Sequence, residues 1–110
     1  MAGEVTERSG KLVVTLDGSI DLERAPQVRA TLLDCTAKKM DLVIDLSAVE
    51  YIDSSGIANL VEALQATQHA GKSLRLVAVS GQVYRVLKLA RLDKVFTIHG
   101  ALEDAIAEAA

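Results

Sequence analysis

Four consecutive residues, Asp53-Ser54-Ser55-Gly56, bring two hydroxyls between a carboxylate and a residue with no side chain. They follow Asp45-Leu46-Ser47-Ala48-Val49-Glu50-Tyr51-Ile52 and precede Ile57, Leu60, Val61 and Leu64, whose i, i+3, i+4, i+7 spacing predicts an amphipathic helix. The serines therefore fall at a helix start. Asp53 or Ser54 is suited to cap it, a side-chain oxygen accepting a backbone N–H that the helix leaves unpaired. Ser55 then lies in the first turn with its hydroxyl less needed for capping. Gly56 removes bulk beside it, and Ala58, Asn59 and Glu62 are expected on the outer side as a low polar surface.

A hydroxyl so placed is a candidate phosphate acceptor. A phosphate adds roughly −1.5 to −2 charges, and a helix N-terminus stabilises an anion by about 0.3–1 kcal/mol. The isolated fold should therefore tolerate it. A partner packed over the same turn would instead bury a poorly matched charge, at a cost on the order of 2–5 kcal/mol. At about 1.4 kcal/mol per tenfold, affinity would fall roughly 30- to 3000-fold.

The elements that must position this turn follow from the apolar pattern. Glu4 to Arg8 and Lys11 to Leu16 are expected to pair as a hairpin across Ser9-Gly10, with Asp17-Gly18 ending the second strand in a turn. Ala25, Val28, Leu32 and Cys35 recur at helical spacing between about Glu23 and Ala37, and Pro26 is tolerated near the start. Asp41 to Leu46 reads as a strand covered on both faces, and Gly71 as the C-terminal cap of the serine-bearing helix. Ser73 to Val79 is a further strand, Gln82 to Ala90 a helix, Val95 to Ile98 a short strand and Ala101 to Ala109 a closing helix. This alternation predicts one α/β domain over residues 1–110: a mixed, mostly parallel sheet of four to five strands with one antiparallel edge and four helices.

Composition narrows the partners. Half of the 110 residues are hydrophobic and a quarter charged, as in ordinary globular domains. Aromatic residues make up only 3%, so no row of rings is present for stacking bases. The net charge of −3, without a dense basic block, offers little attraction to nucleic acid or anionic lipid, and protein partners are expected. The apolar runs are far shorter than the roughly 20 residues that span a bilayer, which points to the cytoplasm with no membrane insertion. Cys35 is the single cysteine, read as a small buried residue. With His69 and His99 at unrelated spacing it gives no zinc pattern, so neither a metal nor another cofactor is expected.

The segment Asp45-Leu46-Ser47 … Tyr51-Ile52-Asp53-Ser54-Ser55-Gly56-Ile57 resembles the signature of STAS domains, specifically the anti-sigma factor antagonists of bacterial partner-switching systems. Leu16-Asp17-Gly18-Ser19-Ile20-Asp21-Leu22 is similar to the family's early G-x-(I/L)-D motif, and Gly71-Lys72-Ser73-Leu74-Arg75-Leu76-Val77 to its G-x-x-L-x-(L/V) strand entry. The resemblance implies a non-enzymatic module, monomeric when free. Its phosphorylated residue would be Ser55, modified by a serine kinase that is also the anti-sigma factor and restored by a phosphatase of the PP2C type. Asp21 falls on the family's early acidic position, beside the docking surface. The same fold and motif occur in adaptor subunits of lipid-transport ATPases, where binding is constitutive, and this is the alternative reading.

Other chemistries fit less well. A receiver domain phosphorylated on Asp45 would need a pair of acids after its first strand and a late lysine, neither in register. A hydrolase using Ser54 or Ser55 would need a base, and no Gly-x-Ser-x-Gly elbow is present. His69 reads as a solvated helix end and His99 as loop. Arg85, Lys88 and Arg91 recur every three residues opposite Val83, Val86, Leu87 and Leu89. This basic edge is either a solvated face or, with Arg85 and Lys88 beside the serine-bearing helix, part of the docking surface.

Overall fold

In the computed structural model, which describes residues 3–107, nine elements alternate along the chain. They are β1 (Glu4–Arg8), β2 (Lys11–Ile20), α1 (Ala25–Thr36), β3 (Asp41–Ile52), α2 (Ser54–His69), β4 (Leu74–Val77), α3 (Gly81–Leu89), β5 (Thr97–His99) and α4 (Leu102–Ala107). The five strands form one sheet in the order β1-β2-β3-β4-β5. β1 pairs antiparallel to β2 and every other pair is parallel, so the sheet is mixed with one antiparallel edge.

Side-chain alternation along the strands sorts the core into two layers. Leu12, Val14, Leu16, Leu42, Ile44, Leu46, Leu74 and Leu76 pack with Val28, Leu32 and Cys35 of α1, Ile57, Leu60, Ala63 and Leu64 of α2, and Val83 and Leu87 of α3. On the opposite face Val13, Val43 and Val77 meet Ala105 of α4, flanked by Leu102 and Ile106. β3 is thus covered on both faces, as its continuous apolar run requires. The end of the closing helix expected at Ala109 lies outside the described residues.

Both central strands run further than their sequences suggest. β2 continues through Asp17-Gly18 to Ile20, and β3 continues past Leu46 to Ile52. The expected turn at Asp17-Gly18 is instead a bulged ladder: Thr15 pairs Asp45 and Asp17 pairs Ala48, then Gly18 pairs Val49 and Ser19 pairs Tyr51. β3 carries one extra residue at each shift. Gly18 takes φ +66°, and the Arg24 guanidinium fastens the irregular stretch by donating to the carbonyls of Asp17 and Ser19. His99, expected in a loop, belongs to β5.

The prolonged strands determine where α2 begins. Asp53 N–H still donates to Ile20 O at 3.2 Å, and helix α2 starts at the next residue. Gly56 is buried against this strand pair. A Cβ there would stand 2.5 Å from Ile52 Cγ1 and 2.8 Å from both Ile20 Cγ2 and Ile20 O. Its small size therefore seats the helix on the sheet, beyond the expected role of clearing space around Ser55. The far end closes on Gly71 at φ +72°, with Lys72 N–H bonded to Thr67 O at 2.8 Å.

Gly56→Ala puts this packing to a direct test. Alanine favours a helix over glycine by roughly 0.5–1 kcal/mol, whereas overpacking against a backbone carbonyl costs about 1–3 kcal/mol. A net loss of stability is expected in urea unfolding; equal or higher stability would show that the helix start is free to shift.

Candidate functional site

Asp53 is the N-cap of α2, in extended backbone at φ −109° and ψ −172°. Its Oδ1 accepts from Ser55 N–H at 2.9 Å, from Gly56 N–H at 3.2 Å and from the Ser55 hydroxyl at 2.7 Å. Its Oδ2 accepts from Leu22 N–H at 3.1 Å. One carboxylate therefore closes the helix end, orients the Ser55 hydroxyl and ties both to the loop before α1. Of the two capping candidates the structure uses Asp53, leaving Ser54 exposed at the first helical position.

The same hydrogen bonds hold the Asp53 pKa below its ordinary value, chiefly the donation from the Ser55 hydroxyl, with the Gly56, Ser55 and Leu22 amides adding to it. The carboxylate accepts from the Ser55 hydroxyl at 2.7 Å and so fixes the direction of the Ser55 oxygen. His69 lies at the other end of α2, about 21 Å along the axis, beyond reach of Ser55. Among the described residues, no cluster of three His, Cys, Asp or Glu side chains is arranged to hold a metal.

Loop 21–24 is fixed on several sides. Asp21 Oδ1 accepts from Arg24 N–H at 3.1 Å, and Asp21 O from Ala25 N–H at 2.8 Å. Asp21 thus shapes the approach to α1 from its half-buried position. The loop presents Leu22, 75% exposed. Beside it lies an open groove of about 320 Å³ lined by Leu22, Ala25, Pro26, Arg29, Ser55, Ala58 and Asn59. Ser55 is half-buried and sits in the groove wall.

The surface differs from the sequence expectation in two respects. Asn59 is buried rather than outward, and its Nδ2 donates to Ala25 O at 2.9 Å, a tie between α2 and α1. The helix flanking the groove is α1, whose Arg29 pairs with Glu62 through two bonds of 2.7 and 2.9 Å. That pairing lowers the Glu62 pKa and raises that of Arg29. Arg85 and Lys88 do not line the groove; they are exposed on α3, which packs against β3. Leu22, Pro26 and Arg29 were not singled out from sequence. Leu22 does carry a signal, as a large apolar residue in the polar stretch just ahead of α1.

The shared carboxylate makes the site pH-sensitive. Because folding lowers the Asp53 pKa, its charge adds stability above the unfolded value near 3.9, and that contribution fades as pH falls through the folded value. Asp53→Asn should flatten the loss of stability below about pH 4, with Glu62 leaving a residual slope. Ser55→Ala should raise the Asp53 pKa in a carboxyl-carbon NMR titration; an unmoved value would show that the hydroxyl bond is not made in solution.

Known proteins resemble this chain in sequence and in fold. The chain matches the STAS domain over residues 3–105. It is 32% identical over 105 residues to an anti-sigma-F factor antagonist of Mycobacterium tuberculosis, covering 93% of this chain and 84% of the relative. Identity to an anti-sigma-B factor antagonist of Bacillus subtilis is 27% over 103 residues, 94% of each chain. The crystal structure of an anti-sigma factor antagonist from Mycobacterium paratuberculosis superposes with a TM-score of 0.88 at 31% identity, over 96% of this chain and 90% of that one. With that match over residues 3–105 and a five-strand, four-helix fold shared with solved relatives, the chain belongs to the STAS domain family.

Proposed function

We propose that this chain is a partner-switching regulator of the anti-sigma factor antagonist kind, with Ser55 as its phosphate acceptor. Unmodified, it binds a serine kinase that also serves as anti-sigma factor, and so frees that kinase's other client. The kinase transfers phosphate to Ser55, the complex separates, and a PP2C-type phosphatase restores the binding form. Catalysis belongs to these partners, and the chain acts in the cytoplasm. The observation that carries the reading is the Ser55 hydroxyl itself, oriented by Asp53 at 2.7 Å in the wall of an open groove.

The geometry accounts for both halves of the cycle. Leu22 is an apolar anchor on a loop already fixed by Asp21, Arg24 and Asp53, so docking it costs little ordering entropy. Ser54, Ala58 and Glu62 continue the surface around it, while Asn59 and Gly56 support it from beneath. Phosphorylation replaces the hydroxyl proton that Asp53 accepts and sets a dianion against its carboxylate. The favourable helix terminus and the unfavourable carboxylate oppose each other locally, which keeps the fold close to unchanged. A partner seated over the groove has no such compensation, because it must desolvate the new charge.

Incubating the chain with ATP and a serine kinase of the anti-sigma factor kind from the same genome should add one phosphate, mapped by mass spectrometry to Ser55. Ser55→Ala should keep binding and lose modification, and Ser55→Asp should bind more weakly. Leu22→Ala should weaken the complex by about 5- to 30-fold in calorimetry. Tight binding with no phosphate at Ser55 would contradict the switch and favour the constitutive adaptor of a transport ATPase.

A further inference from the structure

We propose that the exposed side of α3 and the loop after it form a second docking surface, separate from the Ser55 groove, that seats in an acidic, apolar-walled cleft of a protein partner. Residues 81–95 carry Arg85, Lys88, Arg91 and Lys94 against the single acid Asp93, a local charge of +3 in a chain whose net charge is −3. Elsewhere the arginines Arg8, Arg24 and Arg29 are each held by an acid: Glu103, Asp17 and Glu62. The four cations of this segment form no ion pair among the described residues.

The same segment concentrates exposed apolar surface. Of five large hydrophobic side chains exposed among the described residues, three lie here: Tyr84 at 40%, Leu89 at 80% and Val95 at 53%. About 100° of turn per residue sets Lys88 and Arg85 on the crest, with Tyr84 on one flank and Leu89 on the other, opposite the buried Val83 and Leu87. Arg91 extends the ridge from a left-handed position, φ +61°, that glycine usually fills after a helix.

The order of groups across the ridge selects the occupant. A helix lying on a membrane presents an apolar centre with cations toward its edges, the reverse of this arrangement. A nucleic-acid backbone would meet the cations but leave the exposed Leu89 and Val95 without an apolar partner. Carboxylates along the floor of a cleft and apolar groups on its walls match the crest and both flanks.

The probe is a synthetic helical peptide with glutamates along one stripe and leucines on either side of it, titrated into the isotope-labelled full chain. Amide shifts are expected at Tyr84, Arg85, Lys88 and Leu89, with Leu22 and Ser55 unmoved. Arg85→Glu with Lys88→Glu should weaken the peptide at least tenfold, and Leu89→Ser should weaken it with all charges kept. Lys38→Glu with Lys39→Glu, on exposed cations elsewhere, should not. All of these positions are exposed, and the fold of each variant is to be checked by circular dichroism. The proposal is overturned by shifts spread equally to Lys38 and Lys39, by unmoved α3 amides, or by tighter binding of phosphatidylserine vesicles or duplex DNA to α3.

Discussion

The whole site depends on one carboxylate. Asp53 accepts four hydrogen bonds, from the Leu22, Ser55 and Gly56 amides and from the Ser55 hydroxyl. The first reaches back 31 residues to the loop before α1, and the others close the start of α2. The loop before α1, the helix cap and the candidate acceptor therefore share a single anion. A charge added at Ser55 must act on this anion first, and through it on the loop that presents Leu22.

The sheet holds the carboxylate at that place. β2 and β3 run side by side through two register shifts to Ile20 and Ile52, and Asp53 emerges from the last hydrogen bond of that ladder. Gly56 seats the first turn of α2 against Ile20 and Ile52, while Arg24 fastens the bulged stretch beneath the loop. Rigid elements thus surround an exposed leucine and a half-buried hydroxyl, and an interface built on them needs little rearrangement on binding.

Local signals revealed much of this. The hairpin, the covered strand at Asp41, the helical stripe from Ile57 to Leu64 and its Gly71 cap are written in periodicity and turn residues, and all are present. Features set by distant partners were not legible. Asp17-Gly18 signals a turn locally, but pairing with β3 converts it into a bulge. Asn59 has the polarity of a surface residue, and only the carbonyl of Ala25 on another helix gives it a buried partner. The helical pattern of α2 does not say which helix lies beside it, so the basic residues of α3 were candidates for a place that α1 occupies. At the site itself, Asp53 and Ser55 were legible because capping is local, whereas Leu22 joins them through a contact across the sequence.

The central claim is that a dianion at Ser55 leaves this fold standing while it removes the bound partner. Calorimetric titration of the kinase with the unmodified and the enzymatically phosphorylated chain, with urea unfolding of both forms, measures the two halves together. The account predicts an affinity lower by about 30- to 3000-fold with the cooperative unfolding of an intact domain retained. Equal affinities, or a phosphorylated chain that loses affinity only because it has unfolded, would contradict it.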